Sequence, residues 1–276
     1  MRPTDYLPII ERALAEDLMG IGDITSNAVI PPGQVSRARV IARSAGVVAG
    51  LTIAETAFSI VDDKVRFSPA VEDGAMVGSC DLVARVEGST RSILLGERTA
   101  LNLMGRMSGV ATATRRLVDV VAGTGARIFD TRKTMPGLRA LDKYAVTVGG
   151  GFNHRMGLYD AVLIKDNHIV AAGDIAEAVS AARAAVGPDV TVEVEVENLD
   201  QLQVVLGTAA DRVMLDNMDL ATMRKAVEMV GGAMEVEASG GVTLETVRSI
   251  AETGVDIISV GWITHSAPQL DLALDF

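Results

Sequence analysis

Short β-branched runs alternate with longer helical stretches over the second half of the chain. After Gly125, stretches rich in Ala, Leu and Glu separate six such runs, at Arg127–Asp130, Ala161–Lys165, Val190–Val196, Arg212–Asp216, Met234–Ala238 and Ile257–Val260. Strands that alternate with helices are typical of βαβ units, whose strands lie parallel in one sheet. This spacing predicts an α/β protein whose sheet closes into a barrel or near-barrel.

The first part of the chain has a different pattern. A helical segment at Asp5–Asp17 is followed by three β-rich runs separated by turns. The runs are Val35–Ala42, Lys64–Ser68 and Asp81–Val86. From Ser89 to Val121 the apolar spacing is helical, and Ser108-Gly109 predicts a break into two helices. We therefore expect a mixed segment of helices and strands before the barrel.

Composition narrows the class of protein. The chain has 276 residues, of which 49% are hydrophobic, enough for a large core in one or two domains. Its net charge of −11 disfavours nucleic-acid binding, so an anionic ligand must meet a local cationic pocket. The single cysteine, Cys80, forms no internal disulfide, and neither a signal-peptide pattern nor a run of about 18 apolar residues occurs. We expect a cytoplasmic protein that does not associate with membranes.

Polar and charged side chains follow each of the predicted barrel strands. In parallel barrels the residues that perform chemistry lie at the carboxyl ends of the strands. The segments in question are Asp130–Thr134, Lys165–His168, Glu193–Glu197, Asp216-Asn217, Glu237–Gly241 and Ser259–Gly261. One such segment alone is better explained as a solvated loop, but their succession along the chain favours an active site.

Glutamates alternate with valines over Val192–Glu197. The alternation puts the carboxylates on one face of the strand. On a half-exposed antiparallel strand this would be a solvated face. A barrel strand lacks such a face, so these carboxylates need cations, hydrogen-bond donors or a metal, and Arg132, Lys133 and Lys165 are the expected partners.

A set of basic residues is suited to a substrate that carries several carboxylates and phosphates, because Arg binds such groups bidentately and Lys neutralises them. The set is Arg106, Arg132, Lys133, Arg139, Lys143, His154, Arg155 and Lys165. For Arg139 and Lys143, four residues apart on a predicted helix, a solvated face is an equally good interpretation. Two further histidines have simple interpretations, His168 as a helix cap and His265 as a surface residue.

Two glycine-containing segments, Ser239–Gly241 and Ser259–Gly261, follow the last two predicted strands. Barrels often bind a phosphate at this place through backbone N–H groups and a helix N-terminus, and glycine permits the close approach. Either segment alone would be an ordinary tight turn. Their combination predicts a phosphate site.

These residues, in this order, resemble the quinolinate phosphoribosyltransferase family. The resemblance runs along nearly the whole chain and is most specific at Thr131–Thr134 and Asn153–Arg155. Other segments that carry it are Ala15–Asp17, Gly22–Thr25, Glu97–Asn102, Leu163–His168, Glu193–Asn198, Leu215–Met218, Glu237–Gly241 and Thr264–Ser266.

The resemblance implies an N-terminal α/β sandwich followed by an open-sided α/β barrel, the type II phosphoribosyltransferase architecture. The expected limits are 1–112 for the sandwich, with the tail 265–276 packing back on it, and 113–264 for the barrel that carries the active site. The resemblance also implies a homodimer in which the two subunits share each active site. A higher oligomer built from such dimers is compatible with it. Arg106 would be donated across the dimer interface to a quinolinate carboxylate.

By the same resemblance, the catalytic residues are Lys133, Glu195 and Asp216. Substrate binding is expected from these three and from Arg106, Arg132, His154, Arg155, Lys165, Ser239, Gly240 and Gly261. Within this set, Ser239, Gly240 and Gly261 match a cradle for the 5-phosphate. Glu195 and Asp216 match an acidic pair near the ribose hydroxyls and Mg²⁺, an ion that the substrate pyrophosphate would mainly hold.

The implied reaction transfers a phosphoribosyl group from 5-phosphoribosyl 1-pyrophosphate to quinolinate, with loss of CO₂ and pyrophosphate, and gives nicotinate mononucleotide for NAD biosynthesis. A related pyrophosphorylase of molybdenum-transport operons shares the fold but resembles this chain less around Lys165–His168. A barrel that only binds anionic metabolites would require the loss of a charged site residue, and none is lost. Turnover of quinolinate separates the three alternatives.

Overall fold

The computed structural model describes residues 1–276, and the chain forms two compact units. The first unit comprises Met1–Arg115, Thr134–Gly150 and Trp262–Phe276, and the second comprises Arg116–Lys133 and Gly151–Gly261. Residues 134–150 thus group with the first unit. The domain limits expected from the sequence remain a prediction.

The first unit combines antiparallel strands with helices. Its helices are α1 (Pro3–Leu18), α2 (Ile24–Val29), α3 (Leu51–Val61), α4 (Thr90–Val121) as far as Arg115, α5 (Arg139–Val148) and α11 (Trp262–His265). Its strands are β1 (Val35–Ala42), β2 (Gly46–Val47), β3 (Arg66–Pro69), β4 (Met76–Val77), β5 (Leu82–Ser89) and β12 (Leu272–Asp275). Four of them form a sheet in the order β12-β1-β5-β3, so the last strand of the chain pairs with the first.

The second unit consists of parallel strands alternating with helices. Its strands are β6 (Arg127–Phe129), β7 (Val162–Ile164), β8 (Val192–Val196), β9 (Arg212–Asp216), β10 (Glu235–Ser239) and β11 (Ile257–Ser259). Its complete helices are α6 (Asp166–Ala172), α7 (Ile175–Val186), α8 (Leu199–Val205), α9 (Leu220–Val230) and α10 (Val247–Ala251). The sheet has the order β6-β11-β10-β9-β8-β7, and its two end strands do not pair with each other. The barrel is therefore open on one side.

Strand β8 shows how the alternating sequence builds this unit. Val192, Val194 and Val196 are fully buried, and helices α7 and α8 pack against the strand. Each buried valine side chain contributes about 1.5–3 kcal/mol by leaving water. Asp174 and Asn198 cap the N-termini of these helices, since their side chains accept backbone N–H groups of the first turn. The glutamates between the valines are thereby directed to the interior of the barrel.

The predicted α/β class with a parallel sheet is confirmed. The strands Val35–Ala42 and Arg212–Asp216 have the predicted bounds, and the other predicted strands differ by a few residues at their ends. The strands β2, β4 and β12 were not predicted. No helix of this chain combines the length and the apolar character required to cross a lipid bilayer.

The predicted break at Ser108-Gly109 is wrong, because α4 is one continuous helix over Thr90–Val121. Both residues serve close packing instead. The Ser108 hydroxyl donates to the carbonyl of Ala49 and accepts its N–H. A Cβ at Gly109 would lie 2.1 Å from the carbonyl oxygen of Pro268. Glycine therefore lets the C-terminal segment approach the helix, and it does not end the helix.

Candidate active site

A pocket of about 360 Å³ opens at the carboxyl ends of the strands of the second unit. Its walls are formed by Thr131, Arg132, Lys133, His154, Arg155, Leu163, Lys165, Glu195, Met214, Asp216, Glu237, Ser239 and Ser259. Parallel strands all end at the same edge of a sheet, so residues distant in sequence meet there. Each of the strands β6 to β11 contributes at least one wall residue, from its own end or from the segment after it.

The strand register places these side chains in layers. Ser239 at the end of β10 lies opposite Asp216 on β9 and Ser259 on β11. Side chains two residues apart on a strand point to the same side. Glu237 therefore points to the same side as Ser239, one layer deeper in the barrel.

The upper layer combines basic side chains with two carboxylates. Its charged members are Arg132, Lys133, Arg155, Lys165, Glu195 and Asp216. Lys165 Nζ lies 2.5 Å from Glu195 Oε2, and Asp216 Oδ2 accepts a hydrogen bond of 2.9 Å from the amide of Asn217. An acidic protein thus has a local pocket in which basic groups outnumber acidic ones.

Backbone hydrogen bonds fix the segment that carries His154 and Arg155. The Asp130 carboxylate accepts the N–H of His154 at 2.8 Å. The Arg155 guanidinium donates to the carbonyl of Ala161 at 3.1 Å. The Asp160 carboxylate accepts the next two backbone N–H groups along the chain. The segment is therefore well anchored.

A deeper layer of charged groups lies at the floor of the pocket, which His154 and Glu237 line, and extends below it. His154 Nε2 is 3.0 Å from Glu193 Oε2 and 3.4 Å from Glu237 Oε2. Arg212 Nη1 lies 3.9 Å and 3.8 Å from the same two oxygens, while its Nη2 binds Glu235 at 2.7 Å. The side chains of Glu193 and Glu237 are 2% and 0% exposed, so the pair is held away from water.

Burial and mutual repulsion change the proton affinity of this layer. Burial is the main cause that raises the pKa of Glu193 to about 7, and the charge of Glu237 adds to it. Burial lowers the pKa of the His154 imidazole, whereas its contacts with Glu193 and Glu237 raise it. Nδ1 of the ring accepts the N–H of Arg155 at 2.8 Å, so the geometry offers no place for a second ring proton.

The structure brings most of the expected site residues together. Those that line the pocket are Arg132, Lys133, His154, Arg155, Lys165, Glu195, Asp216 and Ser239. Gly240 and Gly261 do not line it, although Gly240 directly follows Ser239 and Gly261 follows Ser259 by two residues. Gly240 has a φ of +94°, and a Cβ there would lie 2.1 Å from Asn217 Oδ1, so only glycine fits. The roles assigned to these residues stay predictions.

Several wall residues were not among the expected site residues: Thr131, Leu163, Met214, Glu237 and Ser259. Side chains two residues apart on a strand point to the same side, so the strand that brings Ser239 into the pocket also brings Glu237 there. The sequence could therefore have identified Glu237. The apolar pair Leu163 and Met214 carries no chemical signal in the sequence, because such residues are common in any core. Arg212 was missed because it stands at the start of β9, away from the strand ends.

Arg106 has a different set of partners from the one expected. Its Nε and Nη2 donate to the two oxygens of Asp142 at 2.9 Å and 2.7 Å, and Nη2 also donates to the carbonyl of Thr264 at 2.6 Å. The side chains of Arg106 and Asp142 are 13% and 0% exposed. The guanidinium is thus engaged by groups of its own chain in this structure. A single chain does not test donation across a dimer interface, so that role of Arg106 stays a prediction.

The two remaining histidines lie outside the pocket. His168 Nδ1 accepts the N–H of Lys165 at 3.0 Å at the start of α6, which agrees with its interpretation as a cap. His265 is exposed and lies beside the hydroxyl of Ser266.

The fold and the pocket describe a barrel enzyme that binds anionic substrates, and comparison with known proteins identifies its family. Residues 110–275 match the C-terminal domain of quinolinate phosphoribosyl transferase, and residues 23–108 match the N-terminal domain. The chain therefore belongs to the quinolinate phosphoribosyltransferase family.

Individual relatives agree with this assignment. A protein of Mycobacterium leprae named nicotinate-nucleotide pyrophosphorylase [carboxylating] is 45% identical over 273 residues, covering 96% of this chain and 95% of that protein. A Bacillus subtilis protein with a probable assignment of the same name is 42% identical over 267 residues, covering 97% and 92% of the two chains. The solved structure of the nicotinate-nucleotide pyrophosphorylase from Francisella tularensis matches with a TM-score of 0.96 and 38% identity over 100% of this chain and 97% of that chain.

Proposed function

We propose that this chain is a quinolinate phosphoribosyltransferase of the decarboxylating type. It transfers the phosphoribosyl group of 5-phosphoribosyl 1-pyrophosphate to the ring nitrogen of quinolinate and releases pyrophosphate and CO₂. The product is nicotinate mononucleotide, an intermediate of de novo NAD biosynthesis. Membership of the family supports this reaction. The observation that carries it is a predominantly basic pocket at the strand ends of a chain whose net charge is −11.

The charges of the pocket fit the two substrates. Quinolinate has two carboxylates, and the other substrate has a phosphate and a pyrophosphate, so the ligands are strongly anionic together. Arg132 and Arg155 suit carboxylates because a guanidinium binds them bidentately. Lys133 and Lys165 neutralise carboxylate, phosphate or pyrophosphate charge. His154 also lines this part of the pocket.

Carboxylates are useful in such a pocket where positive charge develops. When the bond between C1 and pyrophosphate breaks, the ribose gains oxocarbenium character. Glu195 and Asp216 hold the ribose hydroxyls and stabilise this charge, while Lys133 stabilises the departing anion. The ring nitrogen then attacks C1 from a fixed position. The resulting positive ring nitrogen stabilises the electron pair that stays on C2 when the neighbouring carboxylate leaves as CO₂, and C2 then takes a proton from solvent.

The glycine segments provide a place for the 5-phosphate. Ser239 lines the pocket, and Gly240 directly follows it with a backbone that excludes a side chain. Gly261 stands after the neighbouring strand β11. Backbone N–H groups at such positions bind phosphate without an additional charge.

Mg²⁺ is the proposed cofactor. The carboxylate oxygens of Glu195 and Asp216 are the hard ligand type that Mg²⁺ prefers, and both line the pocket. The ion would be held mainly by the substrate pyrophosphate, near these two side chains. When bound, it neutralises the leaving pyrophosphate. Lys165, which pairs with Glu195 at 2.5 Å, would have to share that carboxylate with the substrate complex.

A homodimer with a shared active site and a cytoplasmic location complete the proposal. Since Arg106 is committed to Asp142, an exposed arginine of α4 is the better candidate for donation to a neighbouring subunit. Arg98 is 64% exposed and has Glu97 as its ion-pair partner, 3.6 Å away. It also lies in the Glu97–Asn102 segment that carries the family resemblance. Activity should return when inactive Arg98→Ala and Lys133→Ala subunits are mixed, and no recovery in verified mixed dimers would reject the shared site.

Product analysis tests the reaction itself. The purified chain is incubated with quinolinate, 5-phosphoribosyl 1-pyrophosphate and Mg²⁺, and the products are identified by mass spectrometry. Equal amounts of nicotinate mononucleotide and pyrophosphate are expected. Folded protein that binds quinolinate without forming either product would instead be a binding protein, and turnover of a different base would indicate the related pyrophosphorylase.

A further inference from the structure

We infer that Glu193 and Glu237 are positioning residues: they hold His154 in a single tautomer with its proton on Nε2, and this fixes the backbone from which Arg155 reaches the substrate. Neither glutamate takes part in a chemical step. The identity of the ligand that Arg155 binds rests on the proposed function, whereas the state of the His154 ring does not.

Both ring nitrogens of His154 already have partners in the protein. Nδ1 accepts the backbone N–H of Arg155 at 2.8 Å. Nε2 lies 3.0 Å from Glu193 Oε2, in hydrogen-bonding geometry. A nitrogen that accepts a hydrogen bond carries no proton, so the ring proton must be on Nε2. The N–H of Nε2 then points to the buried carboxyl groups of Glu193 and Glu237.

The two carboxyl groups that face the ring are enclosed by protein, with side chains that are 2% and 0% exposed. Ligand atoms of His154, Glu193 and Glu237 lie within 4.8 Å of one another. Glu193 Oε1 and both oxygens of Glu237 are buried without a hydrogen-bond partner. The bond from Nε2 to Glu193 Oε2 is therefore the hydrogen bond that holds the ring to this carboxyl pair.

The same three groups have the spacing of a metal site, but two contacts argue against one. A histidine that binds a metal through Nε2 normally donates a hydrogen bond from Nδ1, and here Nδ1 faces a donor. The guanidinium of Arg212 already supplies positive charge, with Nη1 3.9 Å from Glu193 Oε2 and 3.8 Å from Glu237 Oε2. The cluster therefore fits the ring N–H of His154 better than a metal ion.

This arrangement fixes two successive peptide groups. Asp130 accepts the N–H of His154 at 2.8 Å, and the His154 ring accepts the N–H of Arg155. With the ring held by the carboxyl pair, the Arg155 side chain starts from a rigid backbone. A guanidinium placed in this way loses less freedom when it binds a carboxylate.

The tautomer can be observed directly in the full-length protein. The chain has three histidines, so ¹⁵N-labelled histidine gives few ring signals, and a His154→Gln variant assigns one set. At pH 7 we expect the neutral Nε2–H pattern for His154, unchanged by added Mg²⁺ or Zn²⁺. An imidazolium pattern, the Nδ1–H tautomer, or a shift caused by either metal would overturn the inference.

Kinetics test the positioning role. Glu193→Ala removes the acceptor of the Nε2–H bond and should raise KM for quinolinate about fivefold to tenfold, the equivalent of one lost hydrogen bond, with little change in kcat or in KM for the other substrate. Glu193→Gln keeps an acceptor oxygen for the Nε2–H group, so it should restore KM to within about threefold. The control is Glu197→Ala, which alters an exposed glutamate just after the same strand and should change nothing.

The Glu193→Gln variant decides between a neutral acceptor and a negative charge. If it were as impaired as Glu193→Ala, the carboxylate charge would matter and His154 would act as an imidazolium, contrary to the inference. Circular dichroism checks that both variants fold, and the ring spectrum of Glu193→Gln remains informative if Glu193→Ala does not. If the unmodified protein shows no turnover, the proposed function fails, while the ring spectrum still tests the tautomer.

Discussion

Replacing Arg106 with alanine should destabilise the protein, because this side chain neutralises a buried carboxylate. Its guanidinium forms a bidentate pair with Asp142, at 2.9 Å and 2.7 Å, and also binds the carbonyl of Thr264. Asp142 is completely buried. After the replacement, the N–H of Met135 still donates to Asp142 at 3.1 Å.

The size of the effect follows from this burial. Removing one partner of a buried ion pair costs about 3–5 kcal/mol, because the other charge stays in the protein without compensation. Net stabilities are about 5–15 kcal/mol, so the loss is a large fraction of the total. Arg98→Ala is the matched control on the same helix. Arg98 is 64% exposed, and we expect its replacement to cost less than about 0.5 kcal/mol.

Urea unfolding followed by circular dichroism measures both variants. Burial raises the pKa of Asp142, and Arg106 opposes that rise. Without Arg106 the pKa rises further above its usual value of 3.8. A raised pKa in the folded state means that the penalty is complete above that pKa and shrinks as the pH falls through it. The difference in unfolding free energy between Arg106→Ala and the unmodified chain should therefore narrow in acid.

A second replacement tests the cause. Arg106→Ala combined with Asp142→Asn should recover part of the lost stability, because the amide avoids a buried charge and still accepts the N–H of Met135. If Arg106→Ala retained stability to within about 1 kcal/mol while activity was lost, the buried-pair explanation would be refuted. Arg106 would then act at a substrate site, as the family resemblance first suggested.

Three further changes test other parts of the structure. Gly240→Ala places a Cβ against the side chain of Asn217 at a φ of +94°. It should lower the free energy of unfolding in urea by about 1–3 kcal/mol and raise KM for 5-phosphoribosyl 1-pyrophosphate. An unchanged stability and an unchanged KM would reject the close packing. Gly109→Ala should destabilise the protein by a similar amount, even though alanine is about 1 kcal/mol more favourable than glycine within a helix. The control is Gly207→Ala, whose Cβ would make an ordinary contact of 3.4 Å and should not destabilise the protein. Glu195→Gln should lower kcat about a hundredfold in a folded protein if this carboxylate stabilises the transition state, and a loss below about threefold would exclude that role.

The parts of the fold that follow from local patterns could be predicted from the sequence. Alternating strands and helices identify the parallel sheet, because strands and helices have different hydrophobic periods in the sequence. In addition, a polar segment follows each predicted strand. The register of the sheet then brings Arg132, Lys165, Asp216 and Ser239 to one pocket. Parallel pairing makes this convergence a consequence of the strand assignment, so no long-range contact had to be guessed.

The features that were missed depend on contacts far apart in the chain. Arg106 looks like any basic residue until Asp142, 36 residues later, is found against it. Gly109 resembles a helix break because its real reason, the approach of Pro268, is not local. The glutamates of β8 form one pattern, yet Glu193 meets His154 while Glu195 meets Lys165. Glu193 lies deeper in the barrel than Glu195, and this difference gives the two glutamates different partners. The alternation in the sequence shows only which side of the strand they share.

The most direct test of the central claim is the release of ¹⁴CO₂ from quinolinate labelled in its 2-carboxylate. The assay is run with 5-phosphoribosyl 1-pyrophosphate and Mg²⁺ both present, and then with each omitted in turn. The proposed function predicts release that requires both. No release from folded protein in the complete mixture, or release that continues without 5-phosphoribosyl 1-pyrophosphate, would contradict it.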